Sequence, residues 1–148
     1  MPPEAVGRGM GEDAFPEISL LNNEFVTVQR GQGSRVVRVT RTAAPITGLA
    51  QVEECWGAVN RALLRVEREE HCLLMDMRSA RGRNDDAFER AVAKHRAATV
   101  SGFRRVAVLV QSLHGQLQVQ RHVREDKLGE VRIFDGEALA LSWLEQAP

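Results

Sequence analysis

Two short apolar runs limit how this chain can fold. His71-Cys72-Leu73-Leu74-Met75-Asp76 and Arg105-Val106-Ala107-Val108-Leu109-Val110 are almost unbroken in apolar side chains, whereas a strand with one wet face would alternate apolar with polar. Both are read as buried strands, the first covered on both faces, and each follows a helical pattern directly. A strand, a helix and a further strand in one sheet need a crossover, which is right-handed and makes the strands parallel. The chain is thereby committed to a sheet with structure packed on both sides.

The flanking segments fill in the order of elements. Phe25-Val26-Thr27-Val28-Gln29 and Val36-Val37-Arg38-Val39-Thr40 alternate apolar with polar, and Gly31-Gln32-Gly33-Ser34 between them tolerates positive φ, so they form a β-hairpin with a partly exposed face. Pro45 and Thr47 open a long helix with Thr47 as its N-cap, in which Leu49, Val52, Trp56, Val59, Leu63 and Val66 recur at steps of three and four as a core- or partner-facing stripe. Glu53, Glu54, Arg61, Arg65, Arg68 and Glu69 make its solvated face, with Arg65 and Glu69 spaced for an i, i+4 pair. A second helix begins near Asn84, with Asp86 and Glu89 as a capping box, Phe88, Ala91, Val92, His95 and Thr99 on one face, and Gly102 as its stop. Residues 113–128 read as a weaker helix, with Leu117, Val119, Val123 and Leu128 as its apolar positions, and Val131-Arg132-Ile133-Phe134 as a short strand before a compact helix from Glu137 to Leu144. The expected fold class is α/β: a single mixed, mostly parallel sheet of about five strands with about four helices, in the order β-β-α-β-α-β-α-β-α. Residues 23–148 form this domain, and residues 1–22, with Pro2, Pro3, Pro16 and no apolar periodicity, are expected to be a flexible tail.

Composition narrows the function classes. A chain of 148 residues with 43% hydrophobic and 27% charged residues suits one soluble domain with a sizeable core. Its 20 basic and 20 acidic side chains cancel, so no global field draws it to nucleic acid or an anionic membrane. Cys55 and Cys72 lack partners at zinc-binding spacing and are read as reduced core residues, and neither a metal nor a cofactor is expected. The start Met1-Pro2-Pro3-Glu4 lacks a basic segment followed by an apolar run, and no window reaches a membrane span, so the expected location is cytoplasmic. The string Gly7-Arg8-Gly9-Met10-Gly11 has no strand before it and no helix after it, the context that phosphate-binding glycine loops need.

The order of elements over residues 25–146 resembles the STAS family, the anti-sigma-factor-antagonist and sulfate-transporter domain, and is most similar to its SpoIIAA-like (STAS/SEC14) branch. The resemblance rests on the hairpin, on Leu73-Leu74-Met75-Asp76-Met77-Arg78 leading into a helix, on the Arg105 to Val110 strand, and most specifically on the ending Val131-Arg132-Ile133-Phe134-Asp135, Glu137-Ala138-Leu139 and Trp143-Leu144. It implies a small regulatory domain that binds a protein partner or itself as a homodimer, and on the SEC14-like side a carrier of an apolar small molecule such as a lipid or quinone. In phosphoregulated members a serine at the start of the helix after the third strand accepts phosphate. Here that turn reads Gly82-Arg83-Asn84-Asp85-Asp86-Ala87, and Asp85 or Asp86 stands in the acceptor's place. A carboxylate is a fixed charge, suited to a helix N-terminus but not switchable by phosphorylation.

The candidate binding loop follows from the same region. Arg78, Ser79, Arg81 and Arg83 leave the third strand, Asp85 and Asp86 precede the next helix, and Ser112 follows the next strand; open α/β sheets place ligands at this end. Those arginines suit a phosphate or carboxylate, while the plainer reading pairs them with Asp76, Asp85 and Asp86. Ser79 and Ser112 lie in no nucleophile elbow, His95 reads as a packed side chain without a placeable carboxylate partner, His114 and His122 as surface residues, and Trp56 and Trp143 as core anchors. The expectation is a non-catalytic, protein-binding regulatory module with no catalytic residues.

Overall fold

The structure, a computed structural model, describes residues 17–31, 33–80, 86–111 and 130–148. Its frame is a six-stranded sheet in sequential order: β1 (Glu17–Asn22), β2 (Val26–Gly31), β3 (Val36–Arg41), β4 (Cys72–Asp76), β5 (Val106–Leu109) and β6 (Val131–Phe134). β2 runs antiparallel to both its neighbours, β1 and β3, and β3 through β6 run parallel. The mixed sheet and its parallel crossovers are those the apolar runs demand. Residues 1–16 and the helix read over 113–128 lie outside the described residues.

β1 corrects the expected boundary at residue 22. Its pairing with β2 slips between Ser19 and Leu21, and Leu20 and Leu21 are both packed against the core. A bulge of this kind puts two successive residues opposite one and erases the period-two signal. Asn23 then turns the chain into β2, its side-chain oxygen accepting the backbone N–H of Phe25 (2.8 Å) and Val26 (3.0 Å). The β2–β3 hairpin turns at Gly33, at φ +80°, as the glycines there suggest.

Register divides the sheet into two unlike faces. On one, Val28, Val39, Met75, Val108 and Ile133 align across the sheet, with Val37, Leu73, Val106 and Val131 in the next row. On the other, Gln29, Arg38, Leu74, Ala107 and Arg132 align. The first face is apolar except at Arg30 of β2 and the buried Arg41 of β3, and the second is apolar only where β4 and β5 cross it. All five residues of β4 are buried, as expected for a strand covered twice.

The helices match these faces. The connections β3 to β4 and β4 to β5 step the same way across the sheet, and with one handedness both must lie on the same side. α1 runs from Leu49 to Arg65 through α-helical Leu49–Val52, a π-turn at Glu53–Gly57, α-helical Ala58–Ala62 and a final 3₁₀ turn at Leu63–Arg65. α2 spans Asp86–Val100. Val52, Cys55, Trp56, Val59 and Leu63 of α1 and Phe88, Ala91 and Val92 of α2 join the apolar face's cluster. The stripe thus closes on the sheet, with Trp56 only 4% exposed. α3 (Glu137–Glu145) covers the second face, where Ala140, Trp143 and Leu144 pack on Cys72, Leu74, Ala107 and Leu109.

Three local expectations change. Gly48, rather than Thr47, is the N-cap of α1; Gln51 reaches back past it, accepting from the Thr47 N–H and hydroxyl one residue before the cap. Leu49, assigned to the stripe, is 58% exposed because it lies in the open first turn. Arg68, read as a solvated surface residue, ends α2. After Arg65 the chain leaves the helix, makes a 3₁₀ turn at Arg68–Glu70, and carries the Arg68 guanidinium to the carbonyls of Ala98 (2.7 Å), Thr99 (3.0 Å) and Ser101 (2.8 Å). Gly102 follows at φ +86°. Carbonyls at a helix C-terminus have no intrahelical donor and carry partial negative charge, so a cation there serves as both donor and counter-charge. Arg68→Ala is expected to lower unfolding free energy by about 1–2 kcal/mol, measured by urea denaturation, with a parallel rise in amide exchange over residues 98–101.

Candidate functional site

The carboxyl end of β4 carries a four-membered charge network on the second face. Asp76 closes β4 and is 7% exposed. Its carboxylate accepts Arg78 Nε (2.9 Å), Arg78 Nη2 (2.7 Å) and the Arg78 backbone N–H (3.1 Å). Such a two-residue return is available because the chain turns immediately after the strand, where the Ala80 N–H donates to the Met77 carbonyl. Arg78 Nη2 also reaches Glu137 Oε1 at 3.3 Å. Arg38, on β3 and on the same face, holds Glu137 with two bonds of 2.8 and 3.3 Å. Glu137 lies in the first turn of α3, where the helix dipole favours a carboxylate.

Two cations and two anions cancel, and the arginines favour the ionised form of both carboxylates. Hydrogen bonding from Arg78 holds the Asp76 carboxyl below its ordinary range against the opposing effect of burial. Arg38 does the same for Glu137, and Asp76 pushes Arg78 up. A carboxylate so stabilised is ionised at neutral pH and is a poor proton acceptor. The arrangement suits fixing a loop and the start of a helix rather than moving a proton.

The candidate residues fare unequally. Arg78 is at the centre of the network, paired with Asp76 as the plainer sequence reading had it. Ser79 is exposed in the turn, outside the network's hydrogen bonds. Asp86 opens α2, although its side chain lies outside the described residues, as do Arg81, Arg83, Asp85 and Ser112. Arg38 and Glu137 were not singled out from sequence: they lie 99 positions apart, and only the sheet order brings them together. The one signal was Glu137 at a helix start, which also describes an ordinary capping acid.

A second polar cluster joins α1 to α2. His95 Nε2 lies 3.0 Å from Glu53 Oε2, a carboxylate partner that sequence could not place. The Thr99 hydroxyl donates to Asn60 Oδ1 (2.7 Å) and Asn60 Nδ2 to the His95 carbonyl (3.3 Å). Gly57 makes room for Glu53, since a Cβ at that position would run into the Glu53 carboxylate. The cluster satisfies the polar groups of a helix–helix contact, as the packed reading of His95 requires. Both cysteines are free and buried. Cys55 faces the buried Arg41 guanidinium, which also donates to the carbonyls of Thr42 (2.8 Å) and Ala44 (3.0 Å), and burial pushes the thiol up. Among the described residues no His, Cys, Asp and Glu cluster has metal-ligating geometry, and no helix is long and apolar enough to cross a membrane.

Depressed carboxylates make stability depend on acid in a defined direction. Asp76 and Glu137 contribute fully above their unfolded values near pH 4, and the contribution falls as pH drops through their lower folded values. Asp76→Asn is expected to cost about 2 kcal/mol at neutral pH, less than a wholly buried pair because Arg78 is part-solvated. It is also expected to flatten the loss of stability below pH 4, as read from urea midpoints across an acid series.

No protein-family model and no curated protein sequence matches the chain. Its structure is similar to the crystal structure of an uncharacterised protein of the DUF3478 family, with a SpoIIAA-like fold, from Shewanella loihica PV-4. The two are 19% identical, with a TM-score of 0.59 over 92% of this chain and 99% of the other. Element order, sheet and comparison agree that this chain has a STAS-type, SpoIIAA-like α/β fold.

Proposed function

We propose that the chain is a non-catalytic regulatory module of STAS type, which binds a protein partner through the loop following β4 and is not switched by serine phosphorylation. The supporting observation is the bidentate Asp76–Arg78 pair and its tie to Glu137. It anchors the root of the loop that carries the switch in phosphoregulated relatives, and it spends the local charge on shape. By the resemblance, Asp85 or Asp86 takes the acceptor's place in the sequence, and a carboxylate there is a charge that phosphorylation does not switch. The alternative, an apolar-ligand carrier, rests on the SEC14-like side of the resemblance and on the α1 stripe, of which Val52, Trp56, Val59, Leu63 and Val66 join the core and Leu49 is exposed.

The test is quantitative binding. A partner recovered by crosslinking, or the chain itself in sedimentation equilibrium, should bind the wild type. Arg78→Ala should weaken the complex by about tenfold or more, as losing a charge-assisted pair that shapes the contact would, with the circular dichroism spectrum unchanged. A chain that is monomeric and partnerless, or a complex indifferent to Arg78, would count against the proposal, and a lipid or quinone retained in native mass spectrometry would favour the carrier.

A further inference from the structure

The opposite end of the sheet holds a cleft unrelated to the β4 loop. The parallel register brings the starts of β3, β4 and β5 side by side: the Cys72 N–H donates to the Arg35 carbonyl (2.8 Å), and the Arg104 N–H to the His71 carbonyl (3.0 Å). Arg35 and Arg104 therefore flank the start of β4. The last turn of α3 lies above, the Cys72 thiol donating to the Leu144 carbonyl at 3.6 Å. Between them opens a cleft of about 350 Å³ whose lining includes Ser34, Arg35, Val36, Cys72, Arg104 and Leu144. That volume is at the small end of ligand sites.

Charge and polarity in the cleft are separated. Arg38, Arg61, Arg78 and Arg105 each have a carboxylate within ion-pair distance. Arg35 and Arg104 have none among the described residues, and they are exposed and half-buried respectively. Glu145 is the acidic residue at the cleft, which leaves one positive charge in excess. The end of a helix would ordinarily repel an anion, but these carbonyls are occupied. Trp143 accepts from the Gln146 N–H (3.2 Å) and Arg105 Nη1 (2.7 Å), and Leu144 from the Ala147 N–H (3.2 Å) and Cys72. Val36, Cys72, Leu144 and Ala147 supply apolar surface, and burial raises the Cys72 thiol by more than the neighbouring arginines lower it, keeping it neutral.

We propose that this cleft binds a small organic monocarboxylate with a short apolar tail, its carboxylate held by Arg35 and Arg104 and its tail lying over Val36, Cys72 and Leu144. One excess positive charge matches a carboxylate better than a phosphate dianion. The volume equals roughly a dozen waters and so takes about ten non-hydrogen atoms, the size of octanoate. Arginine suits the head group because its planar fork meets a carboxylate with two parallel bonds.

Octanoate and inorganic phosphate, each titrated to about 10 mM into the ¹⁵N-labelled full chain, and 1-octanol to about 3 mM, within its aqueous solubility, test this at matched concentrations. Octanoate is expected to shift the amides of Val36, Cys72 and Leu144 saturably and to bind at least about tenfold tighter than the other two. The double variant Arg35→Gln/Arg104→Gln, at positions outside the core, should keep the wild-type spectrum and lose about tenfold or more in octanoate affinity. Absence of octanoate shifts at these amides would overturn the proposal. Equal binding by the double variant would remove the arginines' role, equal binding of octanol the head group, and equal binding of phosphate the tail. None of these readouts involves Arg78, so this proposal and the partner-binding one succeed or fail separately.

Discussion

Burial of β4 and β5 on both faces is the constraint on which the other contacts depend. A strand covered twice must have apolar residues at both parities, and Cys72-Leu73-Leu74-Met75 and Val106-Ala107-Val108-Leu109 meet that requirement without interruption. Leu73 and Met75 then face α1 and α2, while Cys72 and Leu74 face α3. Same-handed crossovers place α1 and α2 on one side, which leaves the other to a helix entering after β6. α3 has nine residues, too few to persist alone in water. Burying Trp143 and Leu144, each worth about 2–3 kcal/mol, is what holds it.

The same restriction explains where polar chemistry appears. The second face is apolar only beneath α3, and at its margins the residues turn charged. Arg38 and Asp76 lie beside the amino end of that helix, and Arg35 and Arg104 beside its carboxyl end. At the first margin the charges neutralise one another and fasten α3 to the β4 turn. At the second, among the described residues, neither arginine has a carboxylate within ion-pair distance. One short helix laid across a longer sheet thus produces a closed ionic clasp at one end and an open cationic cleft at the other.

The interface between α1 and α2 shows a different solution to a buried polar group. The π-turn at Glu53–Gly57 widens α1 by a residue, a distortion that occurs often near functional positions. Here it coincides with the Glu53–His95 contact and with a glycine that leaves room for the carboxylate. Asn60 and Thr99 complete the hydrogen bonding, so the helices meet through satisfied polar groups as well as through Trp56 and Val59.

Strand burial, the hairpin, the core stripe of α1 from Val52 to Leu63, the stop of α2 at Gly102 and the STAS-like order were legible in the amino-acid sequence, because each is a local periodicity or a backbone requirement of a few adjacent residues. β1 was hidden by its bulge, which removes the alternation that marks a strand. Of the charge network, only the Asp76–Arg78 pairing could be read along the chain, because two residues separate its members. Glu137 joining Arg38, Arg68 capping α2 and Glu53 meeting His95 depend on register and helix placement across distant segments, as does the cleft between Arg35 and Arg104. Those contacts were decided by the tertiary structure alone, because hydrophobic periodicity says which face of an element is buried but not which charged margin of another element it will meet.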